Sequence, residues 1–538
     1  MTIALFFSRA RGAISEVVDL EKLADNYRTV AVTGVYDDFF LPTDQEHLLG
    51  RVRDDRVEAV VLAGNSLKHY EDSLGGAALL EEIEAAGVNF NKIACANLLE
   101  QVARPFAFDK RAAEERARAY VDIALHRVKT ASETGKVDIS PRQSILVLGA
   151  STAGLIASSR LLDLGFRVCI MDRREQAEPE LEVEEILPTL GAVSRHPNAR
   201  MLFGSDLLDF SGTCGDYEVT YSRNGREDSL FVGGVIVSIA DADSDWMDEV
   251  RPMLQIDVDS EGRYRSKNPI TLPVQTSAPA IAVVPPHVHE GALVRDKVSG
   301  ADSAVLQVAS FLLRREAHQH ILISRVDESV CGGCGICVNT CFFKACSVDA
   351  STHHSSVDPR RCRGCGKCVA ACPTGARDLL IDPTGHIVAS IRRLAEVPVG
   401  GTKVLAFACN GCGYPALDKA GFLPGEGGEG RIPFGLLPLW IKCGGRLDSQ
   451  FVLTAFSEGF DGVIVIRCHE DQCHNVVGNR DMDRRLNLLR EVLRASGIDA
   501  ERLRLLDTSV MEAARLAEDL DEAVRDIERI ARGVKANV

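Results

Sequence analysis

The stretch from Cys331 to Pro373 reads Cys331-Gly-Gly-Cys334-Gly-Ile-Cys337-Val-Asn-Thr-Cys341 and, after a connection, Cys362-Arg-Gly-Cys365-Gly-Lys-Cys368-Val-Ala-Ala-Cys372-Pro373. Each run has the spacing of 4Fe–4S ligands, in which the fourth cysteine of one run binds the cluster of the other run. Eight cysteines in two identical runs argue against the alternative of two structural zinc sites. The spacing therefore predicts one 4Fe–4S cluster on Cys331, Cys334, Cys337 and Cys372, and another on Cys362, Cys365, Cys368 and Cys341.

This segment resembles a two-cluster ferredoxin. One departure is Phe342, which stands where the first run would carry a proline like Pro373 of the second run. The resemblance implies a change in packing at Phe342 without a change in ligation. The connection between the runs contains His353 and His354, which we interpret as a solvated turn, since both clusters already have four thiolates.

Composition limits the class of protein. The chain has 538 residues, enough for about three or four domains, and a formal net charge of −16 without a basic block. This charge argues against nucleic-acid binding, and no apolar run is long enough to span a membrane. Thirteen of its 17 cysteines fall into groups with metal-ligand spacing, which is typical of a reducing compartment. We therefore expect a cytoplasmic protein, free or peripheral to a membrane complex, in a cell with little or no oxygen.

Five further cysteines lie near the C-terminus, and three predicted buried strands each end at one of them. The strand before Cys409 also leads to Cys412, a second strand precedes Cys443, and a third precedes Cys468 and Cys473. The carboxyl ends of parallel strands meet at one edge of a sheet, so we expect the thiols to converge there. Four would bind one iron–sulfur cluster, and one would be spare. The spacing alone also permits zinc, and it does not decide between 2Fe–2S and 4Fe–4S. His469 and His474 are alternative ligands, but we interpret them as hydrogen-bond donors or surface residues.

The segment from Ser144 to Asp172 has the strand–turn–helix–strand order of a nucleotide-binding unit. Gly149 permits a tight turn, Gly154 lets helix and strand pack closely, and Asp172 is placed to accept ribose hydroxyls. Ser151 replaces the middle glycine, where phosphate and backbone approach most closely. Two interpretations stay open: a domain that binds FAD with altered contacts, or a Rossmann-like domain kept as a scaffold.

The first part of the chain resembles the N-terminal domain of the A-type subunit of heterodisulfide reductase. The shared pieces are the Val18–Lys22 segment, the strand and loop at Val60–Ser66, and the Ala86–Glu100 segment. The family carries cysteines for an additional cluster in this domain. The matching places here hold Ser8, Ala10 and Asn65, which implies that this cluster is lost and the fold is kept. Beyond the nucleotide-binding segment, the chain continues to resemble flavoproteins. One departure is that Val284-Pro285-Pro286 stands where a Gly-Asp pair would complete a flavin site.

The C-terminal part resembles the delta subunit of methyl-viologen-reducing hydrogenase. The matching pieces are Phe407–Asn410, Cys443–Asp448, Ala455–Gly462 and Cys468–Asn479. The likeness implies a 2Fe–2S cluster, with ligands drawn from Cys409, Cys412, Cys443, Cys468 and Cys473. The same order of fused domains is known in subunits of quinone-interacting membrane-bound oxidoreductases.

We therefore predict a multidomain α/β protein. Residues 1–140 form a degenerate N-terminal domain of the heterodisulfide reductase type. Residues 141–320 form a Rossmann-like domain of the flavoprotein type, and residues 321–385 form the two-cluster ferredoxin-like module. Residues 400–538 form an α/β iron–sulfur domain of the hydrogenase delta type.

The predicted function is that of an electron-transfer subunit of a multisubunit redox complex, with two 4Fe–4S clusters, one 2Fe–2S cluster and, as one open interpretation, FAD. Its partners would be other subunits of a heterodisulfide-reductase-like, hydrogenase, dehydrogenase or quinone-linked complex. No substrate pocket with an acid–base pair or an activated nucleophile is evident in the sequence. Two alternatives are a flavin-based catalytic subunit that splits electron pairs and a scaffold subunit with clusters as structural staples.

Overall fold

Three parallel sheets and one small cysteine-rich module make up the fold. The computed structural model describes residues 1–177, 183–239, 244–254, 256, 264, 274, 276, 280–284, 293–313, 317–425, 430–470, 473–475 and 477–535. None of the described helices is both long and apolar enough to cross a membrane.

The first sheet carries the N-terminal unit. Its elements are β1 (Ile3–Ser8), α1 (Leu20–Asp25), β2 (Val32–Tyr36), α2 (Pro42–Asp54), β3 (Ala59–Gly64), α3 (Leu67–Asp72), α4 (Leu74–Ala85), β4 (Ile93–Asn97) and α5 (Lys110–Thr130). The strands pair in parallel in the order β2-β1-β3-β4, and the central strands β1 and β3 are buried along their whole length. Such continuous apolar strands fit a parallel sheet that is covered on both faces.

The second sheet belongs to the central unit. Its elements are β5 (Lys136–Ile139), β6 (Ser144–Leu148), α6 (Thr152–Asp163), β7 (Arg167–Asp172), α7 (Val183–Arg195), β8 (Ala199–Phe203), β9 (Ser205–Thr213), β10 (Asp216–Arg223), β11 (Arg226–Val232), β12 (Gly234–Val237), α8 (Ser244–Leu254), β13 (Ile281–Val283), α9 (Val294–Leu312) and β14 (Ala317–His320). The parallel order β13-β12-β6-β7-β8 and the helix α6 confirm the predicted strand–helix–strand unit. Strands β9, β10 and β11 form an antiparallel sheet. Pro285 and Pro286 lie outside the described residues.

The cysteine-rich module consists of short elements. They are β15 (Ser324–Val326), α10 (Ile336–Thr340), β16 (Cys346–Val348), β17 (Ser355–Val357), α11 (Lys367–Ala370) and β18 (Arg377–Leu379), followed by the helix α12 (Thr384–Ala395). Strand β15 pairs with β18 and strand β16 with β17, both antiparallel. The two halves thus have the same plan: a short strand, a cysteine run that contains a short helix, and a second short strand.

The last sheet forms the C-terminal unit. Its elements are β19 (Val404–Cys409), α13 (Gly413–Phe422), β20 (Leu436–Ile441), α14 (Ser449–Ser457), β21 (Gly462–Cys468), α15 (Gly478–Ala495), β22 (Leu503–Thr508) and α16 (Ala513–Lys535). The strands pair in parallel in the order β20-β19-β21-β22. The structure confirms the predicted strands before Cys409, Cys443 and Cys468.

The first and last units of the chain share one apolar core. Leu5, Ile387 and Leu405 belong to the same cluster of buried side chains, whereas the central sheet has a separate core. Helix α5 lies at this junction: the Arg116 guanidinium donates to the Leu436 carbonyl at 2.9 Å, and the Tyr120 hydroxyl donates to the Pro438 carbonyl at 3.0 Å. The N-terminal unit therefore packs on the sheet that carries the C-terminal cysteines.

Candidate metal centres

Two similar turns carry the two cysteine runs. Helix α10 begins after Gly335 and helix α11 after Gly366, and these glycines have left-handed φ angles of 74° and 77°. A Cβ on Gly366 would lie 2.4 Å from Cδ of Arg446. Glycine is therefore needed at this turn both for the backbone conformation and for the approach of the C-terminal unit.

The chain crosses between the two runs as the spacing predicts. Cys341, which ends the first run, lines the same cavity as the first three cysteines of the second run, Cys362, Cys365 and Cys368. The backbone N–H of Ala345 donates to the Cys341 sulfur at 3.3 Å. This set matches the predicted ligands of one 4Fe–4S cluster.

Ser355 connects two cysteines of the other predicted set. Its backbone N–H donates to the Cys331 sulfur at 3.4 Å, and its hydroxyl lies 3.1 Å from the Cys337 sulfur. Cys337 is buried, Cys334 is exposed, and Cys331 and Cys372 are half-buried. The exposed sulfur places this group nearer to solvent than the one around Cys368.

A ninth cysteine of the module has no role predicted from the sequence. The Cys346 thiol is buried and lines the cavity of the second cysteine group together with Cys341 and Cys368. The internal repeat of the module carries the missed signal. Cys346 stands five residues after Cys341, as Arg377 stands five residues after Cys372.

The five C-terminal cysteines converge at the carboxyl edge of the last sheet, and all are buried. The sulfurs of Cys409 and Cys468 are 3.7 Å apart. A Cβ on Gly478 would lie 2.9 Å from the sulfurs of both Cys443 and Cys473, so only glycine fits there. Gly478 opens α15, and the positive end of this helix therefore faces the thiols and favours their ionised form.

His474 is half-buried among these thiols, which fits a hydrogen-bond partner, one of its two interpretations, rather than a surface residue. Its Nδ1 is 3.4 Å from the Cys468 sulfur and 3.9 Å from the Cys412 sulfur, and the three ligand atoms lie within 4.8 Å of one another. His469 has a carboxylate as its partner instead of a thiol: its Nε2 lies 2.5 Å from the Glu512 carboxylate. The group therefore offers five sulfurs and one imidazole nitrogen, a donor set that suits iron–sulfur or zinc chemistry.

The second cysteine run and the C-terminal cysteine group are in direct contact. The Lys367 ammonium lies 2.5 Å from the Asp481 carboxylate on α15. A Cβ on Gly445, two residues after Cys443, would lie 2.7 Å from Cγ of Lys367. The Arg446 guanidinium donates to Thr384 at 2.8 Å and lies 3.6 Å from the Asp378 carboxylate. Buried polar contacts thus hold the two groups against each other.

The predicted nucleotide site is closed by its own side chains. Gly149 has a φ of 98°, and a Cβ on it would lie 2.2 Å from the Ser238 carbonyl oxygen. Ser151 is fully buried; its hydroxyl lies 2.7 Å from that of Ser238 and accepts the Gly154 N–H at 3.1 Å. A hydroxyl pair thus stands on the turn where a dinucleotide's pyrophosphate approaches the backbone.

Asp172 is likewise engaged within the chain. Its carboxylate, in a residue only 1% exposed, accepts the Ala150 N–H at 2.7 Å and the Arg174 guanidinium at 3.0 and 2.9 Å. Ribose hydroxyls would have to displace Arg174 from this ion pair. The residues at Gly149, Ser151, Gly154 and Asp172 therefore keep a Rossmann turn but do not fit FAD in their present arrangement.

Hydrogen bonds in the N-terminal unit involve Ser8, Ala10 and Asn65. The Ser8 hydroxyl accepts the Ala10 N–H at 3.0 Å, and the Asn65 amide donates to the Glu100 carboxylate at 3.4 Å. The Ser66 N–H donates to the same carboxylate at 3.0 Å. Serine, alanine and asparagine therefore contribute to backbone and side-chain hydrogen bonds here.

Glu100 has a second buried carboxylate, Asp418 of the C-terminal unit, as its neighbour. Asn97 and Gln101 donate to Asp418 at 2.9 and 3.0 Å. Burial and the Asp418 charge raise the pKa of Glu100, and burial raises the pKa of Asp418. Two such carboxyls do not both ionise readily, so the pair holds a proton at neutral pH.

The Glu100–Asp418 pair is expected to lower the free energy of unfolding as pH rises. Glu100→Gln is expected to make this decrease smaller. The unfolded carboxyl ionises near pH 4, whereas folded Glu100 keeps its proton to higher pH, so stability is greatest below the unfolded pKa and falls above it. The slope is about 1.4 kcal/mol per pH unit for one retained proton. The unfolding temperature between about pH 5 and about pH 8 should decline less in E100Q. Glu82→Gln, on the exposed side of α4, is the control, and equal declines in all three proteins would contradict the shared proton.

Comparison with known protein families identifies domains in the second half of the chain. The family described as methyl-viologen-reducing hydrogenase, delta subunit, matches residues 404–531. Two families described as 4Fe-4S dicluster domains match residues 330–376 and 354–414. The chain therefore carries 4Fe–4S cluster domains next to a hydrogenase-delta-type domain.

Individual relatives match different shares of the chain. The D-type iron-sulfur subunit of an F420-non-reducing hydrogenase from Archaeoglobus profundus is 37% identical over 119 residues, which are 22% of this chain and 83% of that protein. The A-type subunit of the ferredoxin/F(420)H(2)-dependent CoB-CoM heterodisulfide reductase of Methanosarcina acetivorans is 34% identical over 207 residues, 38% of this chain. The match spans 25% of that longer relative. Among solved structures, the bacillithiol disulfide reductase of Bacillus cereus aligns with 32% of this chain and 51% of its own, at 17% identity and a TM-score of 0.18.

Proposed function

The chain belongs, through residues 404–531, to the family of the methyl-viologen-reducing hydrogenase delta subunit, and from this premise we propose that it is an electron relay. It would be one subunit of a heterodisulfide-reductase-like redox complex. Electrons would pass between a C-terminal 2Fe–2S cluster, within the group of Cys409, Cys412, Cys443, Cys468 and Cys473, and two 4Fe–4S clusters on the two runs.

One observation carries this proposal: the second cysteine run touches the C-terminal cysteine group directly. Lys367, which precedes Cys368, packs on Gly445 and forms an ion pair with Asp481. Buried contacts of this kind keep the two groups at a fixed separation, which a relay needs and isolated structural sites do not.

The protein's own residues would supply the surroundings that such clusters need. Iron–sulfur clusters take up and release single electrons when bound. The backbone N–H groups of Gly413 and Gly445 donate to the sulfurs of Cys409 and Cys443 at 3.5 and 3.4 Å. Donors to sulfur favour the reduced, more negative state, and burial of all five C-terminal cysteines keeps water away.

For the central unit we favour the scaffold over a bound flavin. The carboxylate of Asp172 is paired with Arg174, and Ser151 is bonded to Ser238 on the phosphate-facing turn. These contacts also count against the second candidate function, a flavin-based subunit that splits electron pairs, because that function requires FAD. The cluster-stapled scaffold is the third candidate, and the contact between the cysteine groups favours a relay over it.

The relatives' names suggest the class of partner. They are subunits of heterodisulfide reductases and of hydrogenases, so we propose that the donor and acceptor of this chain are other subunits of such a complex. The redox chemistry on the substrate would then occur in a partner.

Anoxically purified protein is expected to contain about ten irons and about ten sulfides per chain, from two cubanes and one dinuclear centre. The same preparation is expected to release no flavin on acid denaturation, because the Asp172 and Ser151 contacts occupy the site. Colorimetric iron and sulfide analysis, with the absorbance of the acid extract, measures all three quantities.

Two outcomes would contradict the proposal in different ways. Zinc in place of iron, or far fewer irons, would remove the relay. A stoichiometric flavin would instead restore the electron-splitting function and overturn the scaffold assignment of the central unit.

A further inference from the structure

Arg377 is a buried charged residue that follows both cysteine runs in the sequence and lies against both cysteine groups in the fold. It begins β18, five residues after Cys372, and is 3% exposed. Its strand pairs with β15, and Arg377 itself stands opposite Val326. The residue therefore lies inside the module that holds both predicted 4Fe–4S clusters.

The guanidinium of Arg377 reaches both cysteine groups. One terminal nitrogen lies 3.9 Å from the Cys368 sulfur and donates to the Ser324 hydroxyl at 3.2 Å. The other donates to the Ser355 hydroxyl, which lies 3.1 Å from the Cys337 sulfur and donates its own hydrogen to the Ser347 carbonyl at 2.9 Å. Arg377 thus contacts a predicted ligand of one cluster directly and a predicted ligand of the other cluster through one hydroxyl.

No carboxylate compensates this charge within the described part of the chain. Arg377 forms no ion pair with a described Asp or Glu, and its Nε has no hydrogen-bond partner among the described residues. An uncompensated buried cation costs several kcal/mol. Thiolate-bound clusters are anionic, so they are the counter-charge that would offset this cost.

We propose that Arg377 is the shared counter-charge of the two 4Fe–4S clusters and raises both of their reduction potentials. Reduction adds one negative charge to a cluster, and a fixed cation nearby stabilises that charge, since net charge and hydrogen bonds to sulfur set cluster potentials. Arg377 is a positioning residue in this proposal, because it acts on the clusters through their ligands. The inference rests on the proposed relay function and deepens it.

The test is a redox titration of the whole anoxic protein, followed by electron paramagnetic resonance. Arg377→Met is expected to shift the reduction equilibrium of both cubanes at least tenfold toward the oxidised state, which is 59 mV for one electron. Arg377→Lys keeps the charge. The reduction equilibrium of both cubanes in this variant should stay within about threefold of the wild-type value, which corresponds to about half of the shift expected for Arg377→Met. Arg325→Met, an exposed arginine on the paired strand β15, is the matched control and should leave the potentials unchanged.

A second variant tests the link to the other cluster without removing the cation. Ser355→Ala should lower the reduction potential of the cluster at Cys337, because the bridging hydroxyl is lost. The reduction equilibrium of the cluster at Cys368 should stay within about twofold of the wild-type value, because Arg377 keeps its direct contact there. Wild-type potentials in both R377M and S355A, with intact signals, would overturn the role of Arg377, as would an R377K shift as large as that of R377M. If R377M loses its clusters, S355A and R377K decide by the same criteria. Absence of 4Fe–4S signals in the wild type would instead overturn the proposed function.

Discussion

Cys468→Ser is expected to abolish the C-terminal cluster and to leave the two cubanes in place. The Cys468 sulfur lies 3.7 Å from that of Cys409 and 3.4 Å from the His474 imidazole, so it stands where the donors of this group meet. Serine is a poor ligand for iron, and its shorter side chain does not reach the same position. The iron content should therefore fall from about ten to about eight per chain, with loss of the 2Fe–2S signal only.

The same variant should interrupt electron flow into the cubanes. Loss of a residue that merely supports a metal ligand costs about 10–100-fold in activity, and loss of a ligand should exceed that range. The measurement is the rate at which a reduced donor that reacts with the C-terminal cluster reduces the cubanes under anoxic conditions. Direct reduction by dithionite should remain normal.

Cys214→Ser is the matched control for Cys468→Ser. Cys214 is half-buried in the central unit, outside the cysteine groups, and should be replaceable without loss of iron. If C468S kept about ten irons and the dinuclear signal, the cluster would be held by the other thiols and by His474. That result would contradict the ligand assignment of Cys468, although it would leave the relay intact.

The cysteine spacing predicts two clusters with crossed ligation, which stays a prediction. The structure shows that the end of the first run, Cys341, lines one cavity with Cys362, Cys365 and Cys368 of the second run. The strand ends at Cys409, Cys443 and Cys468 are predictable because a parallel sheet aligns its carboxyl ends. Spacing does not reveal which distant groups approach a sulfur. The sequence leaves two interpretations of His474 open, and the structure favours the hydrogen-bond partner over the surface residue. The sequence predicts no role for Cys346 or Arg377, because their contacts depend on the folded module.

The nucleotide-binding segment shows a different limit. The turn at Gly149 and the acid at Asp172 are local features, and the structure contains the strand–helix–strand unit that they predict. The partners that close this site are Arg174, close in the chain, and Ser238, which is brought by a neighbouring strand. The motif therefore predicts the fold of this segment. Whether the segment binds a nucleotide depends on which side chains occupy the site.

The N-terminal unit also has a role that its sequence does not reveal. Its helix α5 packs on strand β20, and its Glu100 lies beside Asp418 of the C-terminal unit. The unit therefore covers the sheet whose edge carries the C-terminal cysteines. The N-terminal unit thus supports the surroundings of the C-terminal cysteine group.

Lys367→Met is expected to loosen the contact between the second cysteine run and the C-terminal group. The Lys367 side chain is 4% exposed and its ammonium lies 2.5 Å from the Asp481 carboxylate, which is 23% exposed. Breaking a buried ion pair by removing one partner costs about 3–5 kcal/mol, and the partial exposure of Asp481 places the cost at the lower end. Electron transfer between the C-terminal cluster and the cubanes should therefore slow, while both kinds of cluster remain bound.

Stopped-flow reduction under anoxic conditions, with iron analysis of the same sample, tests this expectation. Lys344→Met is the control, because Lys344 is 71% exposed and lies 3.7 Å from Asp209, a solvated pair worth about 0–1 kcal/mol. A slow K367M with a full complement of iron and a normal K344M would place the electron path at this contact. Equal rates of electron transfer in K367M and the wild type would mean that the Lys367–Asp481 pair does not maintain the path between the C-terminal cluster and the cubanes. Electrons would then leave the cubanes by another face, such as the one at exposed Cys334.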